Sequence, residues 1–329
     1  MKALVIEKPH QAVVKEVPIP TLKEDEVLIK VDSCGVCGTD IHIYRGDYLG
    51  TYPVIPGHEF AGVVEKVGSA VTRFKVSDRV AVEPNISCDN CSACLSNRQN
   101  FCENWSGVGV TRPGGMAEYV AAPEKAVFSI GSLPMEEGAF VEPLSCVLHG
   151  VQKTHFALAD HVLILGSGPI GMLLAQVIKN QGSANITQLD RNEARLQAAL
   201  SLGVDTVETS LDNLPLDYFD VVVDASGATF LMEESLKYVR KGGSVLLFGV
   251  PHKEALLSLP AFTIFKKGLT LLSSYTSVRN SIQAVRLLQN KKIEVSSLIS
   301  HRLPLTEFAK AIEILESGSD NVLKVMMVP

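Results

Sequence analysis

The first 130 residues of the chain carry short apolar stretches that are separated by turn residues. Val27–Val31, Ala61–Val67 and Asp78–Val82 are examples, and valine, glycine and proline are frequent around them. Short apolar runs between turn residues are typical of β-strands, and no long helical periodicity precedes about residue 136. We therefore predict a β-rich domain in this part of the chain.

Beyond residue 160, unbroken apolar runs alternate with segments of helical periodicity. The predicted strands lie at 161–166, 185–190, 217–226, 243–249 and 269–275, and the predicted helices lie at 169–179, 192–202 and 229–239. Parallel strands contain continuous apolar runs because helices cover both faces of their sheet. The alternation predicts a doubly wound parallel sheet in a protein of the α/β class.

The length and composition are those of an ordinary globular protein. The 329 residues are 46% hydrophobic and 20% charged, which suits two domains and excludes a disordered chain. A net charge of −6 indicates no basic surface for nucleic acid. The apolar run Val162–Ile178 is interrupted by glycines and a proline, and the N-terminal apolar run is broken by Glu7 and Lys8. We expect neither a membrane span nor a secretory signal, and we expect a cytoplasmic protein.

A glycine-rich motif joins the first predicted strand of the parallel sheet to its helix. Gly166, Gly168 and Gly171 stand in the order G-x-G-x-x-G, with Pro169 and Ile170 between the last two. The first glycine permits a tight turn, the second lets the backbone approach a pyrophosphate, and the third allows close helix–strand packing. The helix N-terminus offers N–H groups to the phosphates. The motif predicts a dinucleotide site, and a tight turn without a ligand is the alternative.

An acidic residue at the end of the second predicted strand indicates which cofactor is bound. The Asp190 carboxylate would accept hydrogen bonds from the ribose hydroxyls and would repel a 2′-phosphate, which favours NAD over NADP. Arg191 and Arg195 follow closely and argue the other way, because arginine accommodates a 2′-phosphate. We predict NAD, with Asp190 and Arg195 in its binding site.

Four of the seven cysteines fall in a short segment, residues 86–104, which we call the four-cysteine lobe. Cys88, Cys91, Cys94 and Cys102 have the spacing C-x2-C-x2-C-x7-C. In a long chain without a secretory signal, such crowding favours a metal over disulfides. Four thiolates suit a closed, structural Zn²⁺ site. An iron–sulfur cluster and redox-active thiols are the alternatives.

A second candidate metal site combines different residue types. Cys37, His58, Glu59 and Glu142 would supply a thiolate, an imidazole and one or two carboxylates. Catalytic zinc keeps three protein ligands and one open position, so this set predicts an open site. Taken separately, Cys37 is more often a small buried side chain, and His58 is more often a hydrogen-bonded loop residue.

These motifs, in this order, resemble the zinc-dependent medium-chain dehydrogenases, and in particular the branch of polyol (sorbitol-type) and threonine dehydrogenases. The resemblance covers nearly the whole chain. It implies a GroES-like catalytic domain made of residues 1–150 and 276–329, and a Rossmann NAD-binding domain made of residues 151–275. The GroES-like domain would then include two predicted helices at 278–290 and 305–316 and a predicted strand at 322–328.

The resemblance implies roles for the residues of the open site. Cys37 and His58 are expected to be firm zinc ligands, with Glu59 or Glu142 completing the shell at a given time. Asp40 would accept a hydrogen bond from His58 and orient its ring.

Further roles are implied by position relative to the zinc cysteine and to the nucleotide domain. Thr39 would pass the hydroxyl proton to the cofactor ribose, and His42 would carry it to solvent. Tyr44 would line the substrate pocket, with core packing as its alternative. Gly249 and Ser274 are expected among the cofactor-binding residues.

The expected activity is the reversible oxidation of a secondary alcohol of a polyol, phosphorylated or not, to a ketose, with NAD as hydride acceptor. The alternatives are an L-threonine 3-dehydrogenase-type enzyme and a regulator that binds NAD or a sugar without turnover. Two departures from the family pattern stand out. Ser274-Tyr275 replaces the Arg-Tyr of many polyol dehydrogenases, which argues against sorbitol itself, and the stretch 209–216 is too short for the family's additional helix. The resemblance also implies a homodimer or homotetramer.

Overall fold

The structure is a computed structural model that describes residues 1–47, 50–183, 185–319 and 321–329. The chain divides into two compact units. We call Met1–Ser145, Val278–Lys291 and Val295–Pro329 the terminal unit, and Cys146–Ser277 with Lys292–Glu294 the central unit. The domain boundaries expected from the sequence, 150/151 and 275/276, stay a prediction.

The elements follow one another along the whole chain. The strands are β1 (Lys2–Lys8), β2 (Gln11–Glu16), β3 (Glu26–Gly35), β4 (Glu59–Val67), β5 (Arg79–Val82), β6 (Asn85–Ile86), β7 (Ser106–Gly107), β8 (Tyr119–Pro123), β9 (Val127–Ser129), β10 (His161–Leu165), β11 (Asn185–Leu189), β12 (Thr206–Glu208), β13 (Phe219–Asp224), β14 (Val239–Leu247), β15 (Thr270–Ser273), β16 (Ile299–Pro304) and β17 (Lys324–Val328). The α-helices are α1 (Gly38–Arg45), α2 (Ser92–Leu95), α3 (Met135–Gly138), α4 (Val141–Lys153), α5 (Pro169–Asn180), α6 (Glu193–Ser201), α7 (Thr229–Tyr238), α8 (Ala261–Lys267), α9 (Ser281–Gln289) and α10 (Phe308–Ser317). Short 3₁₀ turns lie at Gln99–Phe101, Glu124–Ala126, Leu211–Asn213, Ser296–Leu298 and Leu305–Glu307.

The terminal unit is built on a sheet in the order β16-β17-β3-β4-β5-β9, with β8 also paired to β3. β3 and β4 run antiparallel, and their register places Gly35 opposite Glu59. On its other side β3 pairs with β17, where Met326 lies opposite Gly35. Apolar side chains from both ends of the chain fill the core of this unit, among them Phe60 and Phe308. The β-rich domain predicted from the sequence is confirmed.

The central unit contains a parallel sheet in the order β12-β11-β10-β13-β14-β15. All but one residue in each of its central strands β10 and β13 is buried, as the unbroken apolar runs and the helices between the strands predict. The doubly wound sheet predicted from the sequence is confirmed. The stretch 209–216 contains only the 3₁₀ turn Leu211–Asn213 among its elements, as its shortness suggests.

Some elements were not predicted. The strand β12 has three residues at the exposed edge of its sheet, too few for a visible pattern. Helix α1 buries only Asp40 and Ile43, so it lacks apolar periodicity, and it ends at Gly46, which has a left-handed φ of 81°. Across the described residues, every helix is too short or too polar to cross a bilayer.

Candidate active site

The dinucleotide motif lies where β10 ends and α5 begins. Gly166 has a φ of 110°, a conformation that favours glycine, and Gly168 is the N-cap of α5. Pro169 is the first helical residue, where its missing N–H costs no hydrogen bond, and the half-buried Ile170 follows it. The N-terminus of α5 therefore lies at the carboxyl end of the sheet, where doubly wound folds bind ligands.

The glycines of this turn have different surroundings. A Cβ on Gly171 would lie 2.1 Å from the carbonyl oxygen of Gly166, so helix and strand approach this closely only with glycine there. A Cβ on Gly168 would meet nothing within 4 Å. The backbone of Gly168, with φ −78° and ψ −179°, is also open to any residue. Nothing in the described part of the chain requires glycine at 168, and the space beside it is open; its use by a pyrophosphate stays a prediction.

Asp190 stands directly after β11 and connects that strand to the glycine-rich turn. Its carboxylate accepts hydrogen bonds from the main-chain N–H groups of Ser167, at 2.7 Å, and Asn192, at 2.9 Å. Asn192 caps α6 by accepting the N–H of the half-buried Arg195 at 3.1 Å. Asp190 stands just after β11 and Arg195 lies in the first turn of α6, both near the carboxyl end of the sheet, and their contact with a ribose stays a prediction.

The next strands end in residues that form a tight polar turn. A Cβ on Gly249, which follows β14, would lie 2.1 Å from the main-chain nitrogen of Gly227. The buried Asp224, which ends β13, accepts the N–H groups of Ser226 and Gly227, both at 3.1 Å. Ser274 has a buried hydroxyl that lacks a hydrogen-bond partner among the described residues. Asp224 was not predicted from the sequence, although a carboxylate directly after the apolar run Val221–Val223 was a visible signal.

The four-cysteine lobe gathers its thiols around one point. The Sγ atoms of Cys88, Cys91, Cys94 and Cys102 all lie within 4.8 Å of one another. Cys91 Sγ is 3.4 Å from Cys94 Sγ and 3.9 Å from Cys102 Sγ. All four cysteines are free thiols. This arrangement fits a single tetrahedral ion, since each thiol can supply one bond.

The main chain of the lobe prepares two of these thiols for metal binding. The N–H of Asn90 lowers the pKa of Cys88 to about 6, and the N–H groups of Cys94 and Glu103 lower the pKa of Cys91. Burial raises the pKa of Cys94 to about 12, so a cation is needed before this thiol ionises. Because thiolates are the ligands that Zn²⁺ takes, metal binding and proton release are coupled here.

The second predicted metal set is also assembled. Ligand atoms of Cys37, His58 and Glu59 lie within 4.8 Å of one another. Cys37 precedes α1, while His58 and Glu59 stand where β4 begins. His58 and Glu59 are buried, and Cys37 is partly exposed. One thiolate, one imidazole and one carboxylate fit a zinc ion with a fourth position open to substrate.

Asp40 holds this set together through the main chain. Its buried carboxylate accepts the N–H of Cys37 at 2.9 Å and the N–H of Gly57 at 3.0 Å. Its Oδ1 lies 3.6 Å from His58 Nδ1, which is too long for a hydrogen bond. Burial lowers the pKa of His58, but the charges of Asp40 and Cys37 outweigh burial and raise it well above its ordinary value. Because a metal binds the neutral imidazole, metal binding at His58 is coupled to proton release.

The Glu59 carboxylate has a buried partner, Lys324, that was not predicted from the sequence. Lys324, on β17, donates from Nζ to Glu59 Oε2 at 2.6 Å. Glu142, in the first turn of α4, is buried but lies outside the group within 4.8 Å, as far as the described residues go. Its charge nevertheless acts on Lys324, so it borders the same site. A single charge in the apolar run 322–328 was the available signal for Lys324.

The other predicted site residues lie on α1. Thr39 is half-buried in its first turn, and His42 Nδ1 is hydrogen-bonded to Asp47 Oδ2 at 2.9 Å. Tyr44 packs its ring edge-on against Phe308, with centroids 5.9 Å apart. This contact gives Tyr44 a place in the core, and its contact with substrate stays a prediction.

Two family models match the chain. Residues 23–132 match the alcohol dehydrogenase GroES-like domain, and residues 169–290 match the zinc-binding dehydrogenase domain. Together the two matches cover well over half of the sequence. They confirm the resemblance and the pairing of a GroES-like domain with a Rossmann-type sheet.

Similar proteins align over almost the full length. D-altritol 5-dehydrogenase of Agrobacterium fabrum is 38% identical over 314 residues, which is 93% of this chain and 94% of the relative. D-arabinitol dehydrogenase 1 of Uromyces fabae is 33% identical over 341 residues, which is 100% of this chain and 97% of the relative. A crystal structure of a zinc-binding dehydrogenase from Sinorhizobium meliloti bound to NADP matches with a TM-score of 0.95 at 32% identity, covering 100% of this chain and 99% of that chain. The chain therefore belongs to the zinc-dependent medium-chain dehydrogenase family.

Proposed function

We propose that this protein is a polyol dehydrogenase that oxidises a secondary alcohol to a ketone with NAD. The observation that carries the proposal is the preassembled set of Cys37, His58 and Glu59, whose ligand atoms lie within 4.8 Å of one another. A regulator that only binds nucleotide would have no use for an open metal set of this kind. The nucleotide cradle of the central unit supplies the second requirement, a place for a hydride acceptor.

Residues of the chain itself would carry the proton that leaves the alcohol. A zinc ion held by Cys37, His58 and Glu59 would lower the pKa of an alcohol hydroxyl, and a bound nicotinamide would supply the hydride acceptor. Thr39 would take up the hydroxyl proton, and His42 would pass it to solvent. The bond from His42 Nδ1 to Asp47 favours the tautomer with the proton on Nδ1, so Nε2 is the nitrogen that accepts the next proton.

The substrate class rests on similarity to relatives that are named for D-altritol and D-arabinitol. Both names denote acyclic sugar alcohols. This chain has serine at position 274, where many of the polyol dehydrogenases that it resembles have arginine. It therefore lacks one charged side chain that could bind substrate hydroxyls. We therefore expect a polyol other than sorbitol to be the best substrate.

The first experiment is NADH formation by the zinc-loaded enzyme against a panel. The panel contains free pentitols and hexitols, polyol phosphates, L-threonine and simple secondary alcohols. Turnover on a free polyol with a low KM supports the proposal, whereas preferential turnover of L-threonine would assign the amino-alcohol activity instead. The absence of NADH formation with every alcohol, in a protein that has bound zinc and NADH, would favour a regulator. Cys37→Ser should abolish turnover while NADH binding and the melting temperature stay close to wild type.

The choice of NAD rests on Asp190. Its carboxylate, held by two main-chain N–H groups, is a fixed negative charge that a 2′-phosphate would have to approach. A preference for NADP is the alternative, because the similar structure is bound to NADP and Arg195 lies nearby in the sequence. Asp190→Ala should improve kcat/KM with NADP relative to NAD. Glu193→Ala is the matched control, because it also removes an acidic side chain, from the first turn of the following helix α6. An enzyme that prefers NADP before any substitution would refute the assignment.

We also propose that the protein is a homodimer or homotetramer. Phe262 and Phe265 on α8 are 73% and 81% exposed, and Leu256 is 88% exposed. Large apolar side chains this exposed and this close in sequence to the edge strand β15 suit self-association. Light scattering should give a multiple of 35.5 kDa, and Phe262→Ser with Phe265→Ser should lower it. A monomeric wild type would refute this part.

A further inference from the structure

A buried lysine stands beside the open metal set. Lys324 Nζ donates to Glu59 Oε2 at 2.6 Å and to the Val36 carbonyl at 3.3 Å. The lysine and glutamate side chains are only 7% and 3% exposed. Removing two charges from water costs about as much as their attraction returns, so a buried pair is weak evidence for a purely stabilising role.

The neighbouring main chain leaves room for this pair. Gly35 lies opposite Glu59 in the sheet, and a Cβ at position 35 would be 2.3 Å from Glu59 Oε2 and 3.4 Å from Lys324 Cδ. Any larger residue at 35 would push the carboxylate away from the lysine. Three adjacent strands, β17, β3 and β4, therefore fix the contact between Lys324 and Glu59.

The pair occupies one of the two oxygens of the Glu59 carboxylate. Because Oε2 is bound to Lys324, Oε1 is the oxygen available to a metal held by Cys37 and His58. A carboxylate can bind a metal through one oxygen or two, and a carboxylate that shares its charge with an ammonium group is a weaker donor. Lys324 thus limits both the number and the strength of bonds that Glu59 can form.

We propose that Lys324 restricts Glu59 to a one-oxygen, readily exchanged ligand of the metal, which keeps a coordination position open for the alcohol. This rests on the metal site of the proposed function, and it makes Lys324 a positioning residue that acts through Glu59.

The test measures metal release and metal spectra of the full chain. Zinc release to a chelator is followed over time. The kinetic phase that is absent in Cys37→Ser belongs to the open site. Glu59→Gln keeps an oxygen for Lys324 but offers the metal only an amide nitrogen, so this zinc should leave about tenfold faster. Lys324→Met releases the whole carboxylate to the metal, so the zinc should leave about tenfold more slowly.

Cobalt(II) in place of zinc reports the coordination number. A second oxygen from Glu59 would raise the coordination number, so visible absorption should weaken in Lys324→Met and recover in the combined variant with Glu59→Gln. Lys267→Met is the matched control, because Lys267 is also largely buried and donates to main-chain carbonyls in the central unit. It should leave release and absorption unchanged.

Two results would overturn the proposal. Faster zinc release in both Lys324→Met and Glu59→Gln would reduce Lys324 to structural support of the site. Unchanged release and absorption in Glu59→Gln would remove Glu59 from the ligands altogether. Should Lys324→Met fail to fold, Lys324→Gln, which keeps a hydrogen-bond donor without the charge, must slow release in its place. Neither readout involves an alcohol or a nucleotide, so a silent substrate panel leaves this test intact.

Discussion

Gly168 and Gly171 offer a direct test of the nucleotide cradle, because their surroundings differ. A methyl group at 168 meets no protein atom within 4 Å, and the backbone there suits alanine. Alanine stiffens the unfolded chain, which stabilises by about 0.4–1 kcal/mol, and it is a poorer N-cap than glycine by about the same amount. The free energy of unfolding of Gly168→Ala should therefore change by less than about 1 kcal/mol.

The same methyl group stands where a pyrophosphate would bind. A hydrogen bond from a main-chain N–H to a charged group contributes about 1.5–3 kcal/mol, so losing one should weaken cofactor binding about 10- to 100-fold. Gly171→Ala is the contrasting variant, because its Cβ would lie 2.1 Å from the Gly166 carbonyl oxygen. The helix must move by about 1 Å, so this variant should lose about 1–3 kcal/mol of stability as well as affinity.

Two measurements separate these effects. Urea unfolding gives the stability of each variant, and titration with NADH, followed by its fluorescence, gives the dissociation constant. We expect Gly168→Ala to change only the second quantity and Gly171→Ala to change both. Wild-type affinity in a normally folded Gly168→Ala would mean that 166–171 is a structural turn, and the dinucleotide assignment would have to be withdrawn.

Three further predictions concern other parts of the molecule. Cys94→Ser should remove one zinc per chain, measured by elemental analysis, and lower the melting temperature; full zinc content would contradict the closed site. Burial raises the pKa of Asp220, but a main-chain N–H and Arg240 outweigh burial and hold it below its ordinary value. This stability is present above about pH 4 and is lost as pH falls through the lowered pKa, so Asp220→Asn should flatten the acid side of a plot of unfolding free energy against pH. Asp47→Asn should lower kcat with little change in KM, because it disturbs the tautomer of His42 rather than binding, and an unchanged kcat would exclude His42 from the relay.

Most of the central unit was predictable because most of its strands are visible in the local sequence pattern. The buried strands β10 and β13 are unbroken apolar runs, and helical periodicity lies between the strands, so the order of elements follows from the right-handed crossover of parallel strands. β12 escaped because three residues at an exposed edge need no apolar pattern. Its detection requires knowing which strand lies beside it.

The two metal sets also differ in how far a local sequence pattern predicts them. The cysteines of the lobe lie within one short segment, so their spacing alone indicates a shared ion. The open set combines residues from separate segments, and Lys324 lies 265 positions from its partner Glu59. No local pattern connects such residues, because only the pairing of β17 with β3 brings them together. The residue types Cys37, His58 and Glu59 suggested the open set and the resemblance to a known family assigned their roles, but neither gave a reason to look for the lysine.

The separation of Glu59 and Lys324 along the sequence also sets a time interval during synthesis. A ribosome that adds about 5–20 residues per second takes roughly 13–53 s to cover the 265 positions between them. During that interval the nascent chain already contains Cys37, His58 and Glu59 but not the lysine that restrains the carboxylate. A metal ion captured early would meet an unrestrained Glu59 and be held differently. From the proposed role of Lys324 we therefore expect correct loading of the open site only after the last strand has been synthesised and has joined the sheet.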